Sequence, residues 1–511
     1  MTLPNIAVHG SHNASFAIEH NGDILEVLEL ERFLNIKNAG YTDWGIPFSN
    51  KSISKLVLAY FKDKYGFDKY DTCHYQNSIE HIQEIPANRY IEGHHHVAHA
   101  AGTFYQSPFD NALVISFDGG SKDGWFQIFK ANRQSGMTLL KNHLVDLGTS
   151  YMWFGFYLND IKFEEEFGAL IYPGKILGLQ SYGTPKKEWI SHFKNFFTSQ
   201  NRIVEFEKLG KIIGVTFDLK NRLVGQVAYD VAATAQAAFE ELTFELITDT
   251  ILDYPNLPIC LTGGCALNIV LNTKIKERFG REVFVAPNMS DCGLTFGMLA
   301  NHIKPQNQLD ATYIGPEPFD KHFLLRYIEN RKGREVDAKF IAKELMEGKI
   351  IGVVQGRAEH GPRALGNRSI LCNPTIKNMK DKLNQKVKHR EWYRPFAPIV
   401  KLEDVSEYFD WDGESRWMAF CVNVKEQYRK IISAVVHVDN TARVQTITES
   451  QNKFIYDVLT EFKKFTGVGV LVNTSFNVDG KPILSTYEDA FKVLDETQLD
   501  AIYLDGFYFT K

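Results

Sequence analysis

The chain has 511 residues, a formal net charge of −5 and a sequence pI near 6.4. That length exceeds one ordinary hydrophobic core and calls for two or more domains. The composition is that of a globular protein, and no basic tail or basic tract is present, so nucleic acid is not an expected partner.

The opening stretch, MTLPNIAVHGSHNASFAIEHNGD, reads as strand, turn, strand rather than as a cationic flank followed by a long apolar segment. No apolar run is long enough to span a bilayer, so no membrane association is expected. The cysteines, Cys73, Cys260, Cys265, Cys292, Cys372 and Cys421, are scattered without a C-x-x-C pair. Free thiols in a reducing compartment fit that pattern, and a cytoplasmic location is expected.

In chain order, Ile6–Val8 reads as a strand leading into Gly10-Ser11-His12-Asn13. Ala112–Phe117 leads into Asp118-Gly119-Gly120-Ser121-Lys122-Asp123-Gly124. A helical pattern covers Asp230–Thr248, with Asp230 placed to act as its N-cap. Leu257–Thr262 runs into Gly263-Gly264, and the strand Val283–Ala286 precedes Ser290-Asp291-Cys292-Gly293. Strands that alternate with Gly turns and helices predict an α/β domain. From Lys304 to Pro318 the chain is polar and rich in Pro, Asn and Gln, as a linker would be. A second α/β segment follows, opening with a helix at Ile341–Glu347 and a strand at Ile350–Gln355. The expected domains are 1–312 and 319–511. No internal repeat is visible.

Three groups of residues carry chemistry. The first is the run His94-His95-His96-Val97-Ala98-His99. His95 and His99 are four apart, share one face of a helix and can chelate one ion. A surface or helix-capping run of histidines fits the same letters. Asp118, at the C-terminal edge of a strand, and Asp291, after another strand, would complete an open site of two imidazoles and two carboxylates. His96 stands where a zinc protease of H-E-x-x-H type carries its Glu, which disfavours a protease.

The second group is the set of Gly turns after strands. Their backbone N–H groups can approach an anion, and Gly119, Gly120, Gly263, Gly264 and Asn268 are candidate nucleotide contacts. One such turn only reverses the chain. Three of them, each after a strand, form the pattern of an actin/sugar-kinase-like ATP fold.

The third group is basic. It comprises Gly356-Arg357 through Arg363 to Arg368-Ser369, then Lys386 to Glu391, Arg394-Pro395-Phe396, His437 to Arg443, and Asn473 to Asn477. These arginines lie among Gly, Pro and aromatic residues rather than on a polar helix face. Guanidinium forks grip phosphate or carboxylate with two bonds, which predicts a polyanion pocket for ATP and a small phosphorylated co-substrate.

These stretches resemble the nodulation and antibiotic O-carbamoyltransferases of tobramycin and cephamycin type, along nearly the whole chain. The resemblance is strongest at HHxxHAA from His95, GKILGLQSYG (174–183), LTGGCALN (261–268), GPRALGNRSI (361–370), VKHRE with RPFAP (387–398), HVDNTARVQT (437–446) and NTSFNVDGKPI (473–483). It implies an N-terminal actin-like ATPase domain and a C-terminal YrdC-like domain. The second would make carbamoyl-adenylate from Mg-ATP and carbamoyl phosphate. The first would pass the carbamoyl group to a hydroxyl of a sugar, antibiotic or toxin-type molecule at an iron site.

Carried over residue by residue, the resemblance implies His95, His99, Asp118 and Asp291 as metal ligands. It implies His12 as general base and Lys37 as an adenylate contact. Arg357, Lys388, Arg390, Arg443, Asn473 and Ser475 would line the anion pocket. Ligand chemistry alone also admits Zn or Mn. The chain departs from the family pattern at Asn13, at Ser121-Lys122 and at 169–173. Transfer to a tRNA base, and a nucleotide-binding partner protein without chemistry, are the alternative readings.

Overall fold

β1 (Asn5–His9), β2 (Ser15–His20) and β3 (Asp23–Glu29) form an antiparallel meander. β4 (Tyr70–Gln76) and β5 (Ala87–Glu92) add in parallel on the other side of β1, giving the order β3-β2-β1-β4-β5. The same wiring then recurs. β6 (Asn111–Ser121), β7 (Gly124–Asn132) and β8 (Gly136–His143) make the second meander. β9 (Ile259–Thr262) and β10 (Val283–Val285) continue it in parallel, so the order is β10-β9-β6-β7-β8. This twice-used sheet is the actin/sugar-kinase-like plan. The repeat is invisible in the residues because wiring needs only apolar runs and turns in matching places, not matching side chains. The central strands are apolar on both faces, and Leu113, Val114, Ile115 and Phe117 of β6 are fully buried, as expected of strands that pair in parallel between covering helices.

The structure is a computed structural model that describes residues 2–40, 50–76, 82–163 and 166–511. It divides into two units, Met1–Leu30 with Asn38–Asp310, and Glu31–Lys37 with Ala311–Lys511. A continuous first domain over 1–312 does not anticipate the excursion Glu31–Lys37. Its side chains find their partners in the second unit, where Phe33 meets Phe319 at 5.3 Å between ring centroids.

Within the first unit, the helix expected over Asp230–Thr248 spans Gly225–Asp253, and Asp230 lies inside it rather than at its N-cap. Its carboxylate accepts the Thr184 N–H and the Gln226 amide, both at 2.8 Å, and pairs with Lys186 Nζ at 2.9 Å. A tertiary use of the side chain has replaced the local one. Elsewhere in this unit, the helices His95–Phe104 and Leu294–Ile303 cross at glycines. A Cβ on Gly297 would stand 1.9 Å from the Ala98 carbonyl, and one on Gly102 would stand 3.3 Å from Gly297 Cα.

The second unit carries β11 (Arg334–Glu335), β12 (Ile351–Val354), β13 (Arg368–Cys372), β14 (Ala397–Lys401), β15 (Val422–Asn423) and β16 (Thr441–Ala442). β17 (Gln445–Ile447), β18 (Val470–Ser475), β19 (Ala501–Leu504) and β20 (Phe507–Thr510) complete it. Eight of the strands form one mixed sheet, β11-β20-β19-β12-β13-β18-β14-β17, while β15 and β16 pair separately. The helices Ala338–Met346 and Lys453–Thr466 bury Ile341, Leu345, Val458 and Phe462 against Ile351, Val353 and Leu471 of the sheet. Each such side chain contributes roughly 1.5–3 kcal/mol of burial. The helix expected to open this segment is preceded by another, Leu324–Arg331, and by β11. Among the described residues no helix is long and apolar enough to cross a membrane, and the six cysteines are buried thiols outside any disulfide.

Candidate functional site

In the first unit, His95 and His99 stand one turn apart on the helix His95–Phe104. The helix begins there because Asp123, in the turn between β6 and β7, accepts the His95 N–H at 2.7 Å, while His94 itself caps nothing. The two Nε2 atoms lie 3.1 Å apart, and each is 3.0 Å from the same oxygen of Asp118, Oδ2. Asp291 Oδ1 completes the group at 3.2 Å from His99 Nε2 and 3.7 Å from His95 Nε2. One ligand atom from each of the four residues falls within 4.8 Å of every other. His96 turns away and bonds Ser116 Oγ at 2.7 Å, and burial holds it down to about 4.

Burial alone would disfavour charge on His99 and on both carboxylates. The short contacts outweigh it: His99 is pushed up to about 9 beside Asp118 and Asp291, and Asp118 is held well below the usual carboxylate range by the two histidines. Once His99 gives up its proton, the same four side chains offer lone pairs that could hold a cation. Two imidazole nitrogens with two carboxylate oxygens fit a divalent transition-metal ion, with Fe, Zn and Mn all accommodated.

The Gly turns bring the strand ends together. Gly263 has φ +89°, and a Cβ there would lie 2.2 Å from the Phe117 carbonyl; a Cβ on Gly264 would lie 2.8 Å from Asp118 Oδ1. The turn after β9 thus closes directly on the end of β6. Gly119 and Gly120 are exposed, and the Gly119 N–H donates to Asp118 Oδ1 at 2.7 Å. Asn268, expected as a nucleotide contact, has protein partners in this structure. It is buried, caps the helix Ile269–Phe279 through the Leu271 N–H at 3.1 Å, and bonds Gln236 at 2.9 Å. His12 approaches the centre from the turn after β1, with Nε2 3.5 Å from Asp291 Oδ2 and Nδ1 3.1 Å from Asn13 Oδ1. Its side chain is 29% exposed, so it stays open to solvent on one side.

The second unit gathers cations. Arg363, Arg390, Arg394 and Arg443 are each half-buried. Burial, and then the neighbouring guanidiniums, hold Arg363 and Arg390 well below the ordinary arginine range and bring Arg443 down to about 10. Arg394 has Glu391 at 3.5 Å, but among the described residues no carboxylate pairs with Arg363 or Arg443. A like-charged group of this kind can hold an anion. Asn473 reaches the same loop, donating to the Ala364 carbonyl at 3.1 Å and to Gln445 Oε1 at 2.6 Å, while its buried Oδ1 has no partner among the described residues.

The remaining residues expected in the pocket have protein partners in this structure, as does Lys37, expected at the adenylate. Lys388 is buried, with its ammonium donating to the carbonyls of Ser475 and Asn477 at 2.7 Å each. It ties down the end of β18, and the Ser475 hydroxyl is engaged with Asn477 Oδ1 at 2.7 Å. Arg357 donates to the carbonyls of Ile314 and Gly315 at 2.6 and 2.9 Å, fastening the start of the unit. Lys37 pairs with both oxygens of Glu31, at 2.9 and 3.0 Å. Arg363 and Arg394 belong to the basic stretches, but nothing in their sequence setting singles them out for the pocket. Asp123 carries no sequence signal for its role, because it caps a helix that begins 28 residues earlier.

A family model described as carbamoyltransferase N-terminus matches residues 15–299, and one described as carbamoyltransferase C-terminus matches residues 342–511. The chain belongs to the carbamoyltransferase family. It is 32% identical over 440 residues to the nodulation protein NolO of Bradyrhizobium diazoefficiens, covering 82% of this chain and 78% of that protein. It is 31% identical over 451 residues to the nodulation protein NolNO of Sinorhizobium fredii, covering 84% of this chain and 65% of that protein. A third relative is the 3'-hydroxymethylcephem-O-carbamoyltransferase of Streptomyces clavuligerus, 32% identical over 263 residues, or 49% of this chain and 48% of that enzyme. The chain thus spans just under two thirds of NolNO and about half of the cephem enzyme.

Proposed function

We propose that the protein is an ATP- and metal-dependent O-carbamoyltransferase that carbamoylates a hydroxyl of a small molecule through carbamoyl-adenylate. Family membership supports the group transferred. The observation that carries the choice of co-substrates is the set of Arg363, Arg390, Arg394 and Arg443 with a single paired carboxylate among the described residues. Carbamoyl phosphate and the ATP phosphates supply the missing negative charge. Asn473 Oδ1, a buried acceptor, suits the amide N–H of a carbamoyl group, which an all-cation pocket cannot read.

In the second unit, which we take to be the YrdC-like one, water takes the phosphoryl group of carbamoyl phosphate and leaves carbamate with release of phosphate. A carbamate oxygen then attacks the α-phosphorus of ATP, a C–O–P anhydride forms, and pyrophosphate leaves. The arginines hold the phosphate oxygens in place and neutralise the charge that gathers on the leaving groups. Such an anhydride decomposes in water, which favours making and using it inside one chain.

In the first unit the acceptor oxygen attacks the carbamoyl carbon, the bond to AMP breaks and AMP departs. The acceptor proton passes to His12. The contact from Nδ1 to Asn13 Oδ1 orients the ring, and Nε2, 3.5 Å from Asp291 Oδ2, faces the centre. An ion held by His95, His99, Asp118 and Asp291, iron by resemblance, would supply Lewis acidity toward a carbamoyl or phosphate oxygen. Lys37 is our candidate for an adenylate contact, once it exchanges its bond to Glu31 for the nucleotide.

The test supplies ATP and labelled carbamoyl phosphate and follows pyrophosphate. The wild type releases pyrophosphate only when both are present. A wild type that releases none sinks the reading.

A further inference from the structure

We infer that Arg32, at the start of the excursion Glu31–Lys37, is a positioning residue for the anion pocket of the second unit. The inference rests on the reading of that pocket as the carbamoyl phosphate and ATP site.

Arg32 is 4% exposed. One terminal nitrogen donates to the Glu359 carbonyl and the other to the Gly361 carbonyl, both at 2.5 Å. The two carbonyls flank His360, so a single fork spans the backbone on both sides of one residue. An ammonium has no such planar fork. Inside the same loop, Glu359 works in the opposite sense. Its Oε1 accepts the N–H groups of Leu365, Asn367 and Arg368 at 2.7, 2.8 and 3.1 Å. Arg32 thus holds the outward carbonyls of the turn while Glu359 holds its inward amides. Arg363 lies on the stretch between, with Gly361 at φ +125° and Gly366 at φ +122° on either side.

This arrangement answers a physical problem. Arg363 is buried beside Arg443 and Arg394, and with no anion present their like charges oppose its place in the pocket. Glu359 grips the loop from within, and outside it the Thr312 carbonyl accepts the His360 N–H at 3.0 Å while Asn473 and Gln445 donate to the Ala364 and Leu365 carbonyls at 3.1 Å each. Arg32 adds a charged fork at the start of the loop, on the two carbonyls that precede Arg363. The grip also explains why residues as early in the chain as 31–37 pack with the second unit. Their contribution is backbone geometry rather than contact with substrate.

The experiment uses the full-length protein and compares wild type with Arg32→Gln, Arg32→Lys and Asn35→Gly. The last removes only an exposed 3.4 Å bond to Asp489 at a residue with φ +54°. Carbamoyl phosphate affinity is measured by calorimetric titration, and kcat and KM are measured from pyrophosphate release. The expected result for Arg32→Gln is a KM for carbamoyl phosphate raised between about 10- and 100-fold, with kcat changed much less. Arg32→Lys recovers part of the loss, and Asn35→Gly behaves as wild type. A purely structural arginine predicts a lower melting temperature with KM unchanged in the folded fraction, and that outcome overturns the inference while leaving the pocket reading intact. Equal loss in Asn35→Gly also overturns it. If Arg32→Gln fails to fold, Arg32→Lys decides: KM at the wild-type value rejects the role, and a raised KM supports it. A wild type that binds no carbamoyl phosphate removes both the pocket reading and the inference.

Discussion

The Nε2 atoms of His95 and His99 lie 3.1 Å apart and point at the same oxygen of Asp118. Two imidazole nitrogens at that separation need a proton or an ion between them.

Removing one of the pair should separate the two half-reactions. For His99→Ala we expect metal content to fall and carbamoyl transfer to drop on the order of 100-fold or more, since even indirect ligand supports are worth 10–100-fold. Pyrophosphate release should stay within a few-fold of wild type. Metal analysis, acceptor carbamoylation and pyrophosphate release on one preparation check this. Loss of pyrophosphate release to the same extent as transfer would show the division of labour to be wrong.

Gly297 sets the distance between the helix that bears both histidines and the helix that follows Asp291. With a methyl group 1.9 Å from the Ala98 carbonyl, Gly297→Ala must move one helix. The expected cost is about 3 kcal/mol, with weakened metal binding and little change in helix content. Denaturant unfolding and circular dichroism read the two effects.

Arg443 should trade stability against affinity. Arg443→Met removes a charge repelled by Arg394, so the protein without ligand should melt about 2 °C higher or unchanged. The same variant loses charge-assisted bonds worth about 1.5–3 kcal/mol, so KM for carbamoyl phosphate should rise roughly 10- to 100-fold. A lower melting temperature would mean that the arginine serves structure instead.

Acid should destabilise the first unit through His74. Burial, and then His302 and Arg89, hold this histidine down to about 4, below its ordinary 6.5. The folded state keeps it neutral while the unfolded chain takes up a proton near 6.5. Its share of stability is therefore complete above that pH and is lost as pH falls toward 4. By pH 5 the loss reaches about 2 kcal/mol. His9 and His96 act in the same direction in this unit, as does His437 in the second. Urea unfolding at pH 7 and pH 5 should show the drop, and His74→Phe should make it smaller by about that amount. An unchanged pH slope in the variant would contradict the assignment.

The parallel strands are legible in the sequence because burial on both faces leaves uninterrupted apolar runs such as Ala112–Phe117, and the Gly turns mark where they end. The spacing of His95 and His99 is legible because it follows the helical period. Asp118 and Asp291 are visible as carboxylates at strand ends, but their meeting with the histidines depends on the Gly102–Gly297 crossing, which no local pattern encodes. Asp230 misleads for a related reason: an ideal capping residue is used by a distant loop. Lys388 and Arg357 read as anion binders by residue type, and the structure adds what the sequence does not show, that both donate to backbone carbonyls. Only the fold separates cations that have such partners from those left to repel one another.

The four candidate ligands sit at positions 95, 99, 118 and 291, in three separate stretches of the first unit. An ion held by all four acts as a removable cross-link, closing a very long loop of chain, and it shuts out the opened conformations that a free chain would sample. Stripping it with a chelator should therefore quicken the unfolding of the entire first unit, and protease sensitivity should spread well beyond the residues that touch the ion.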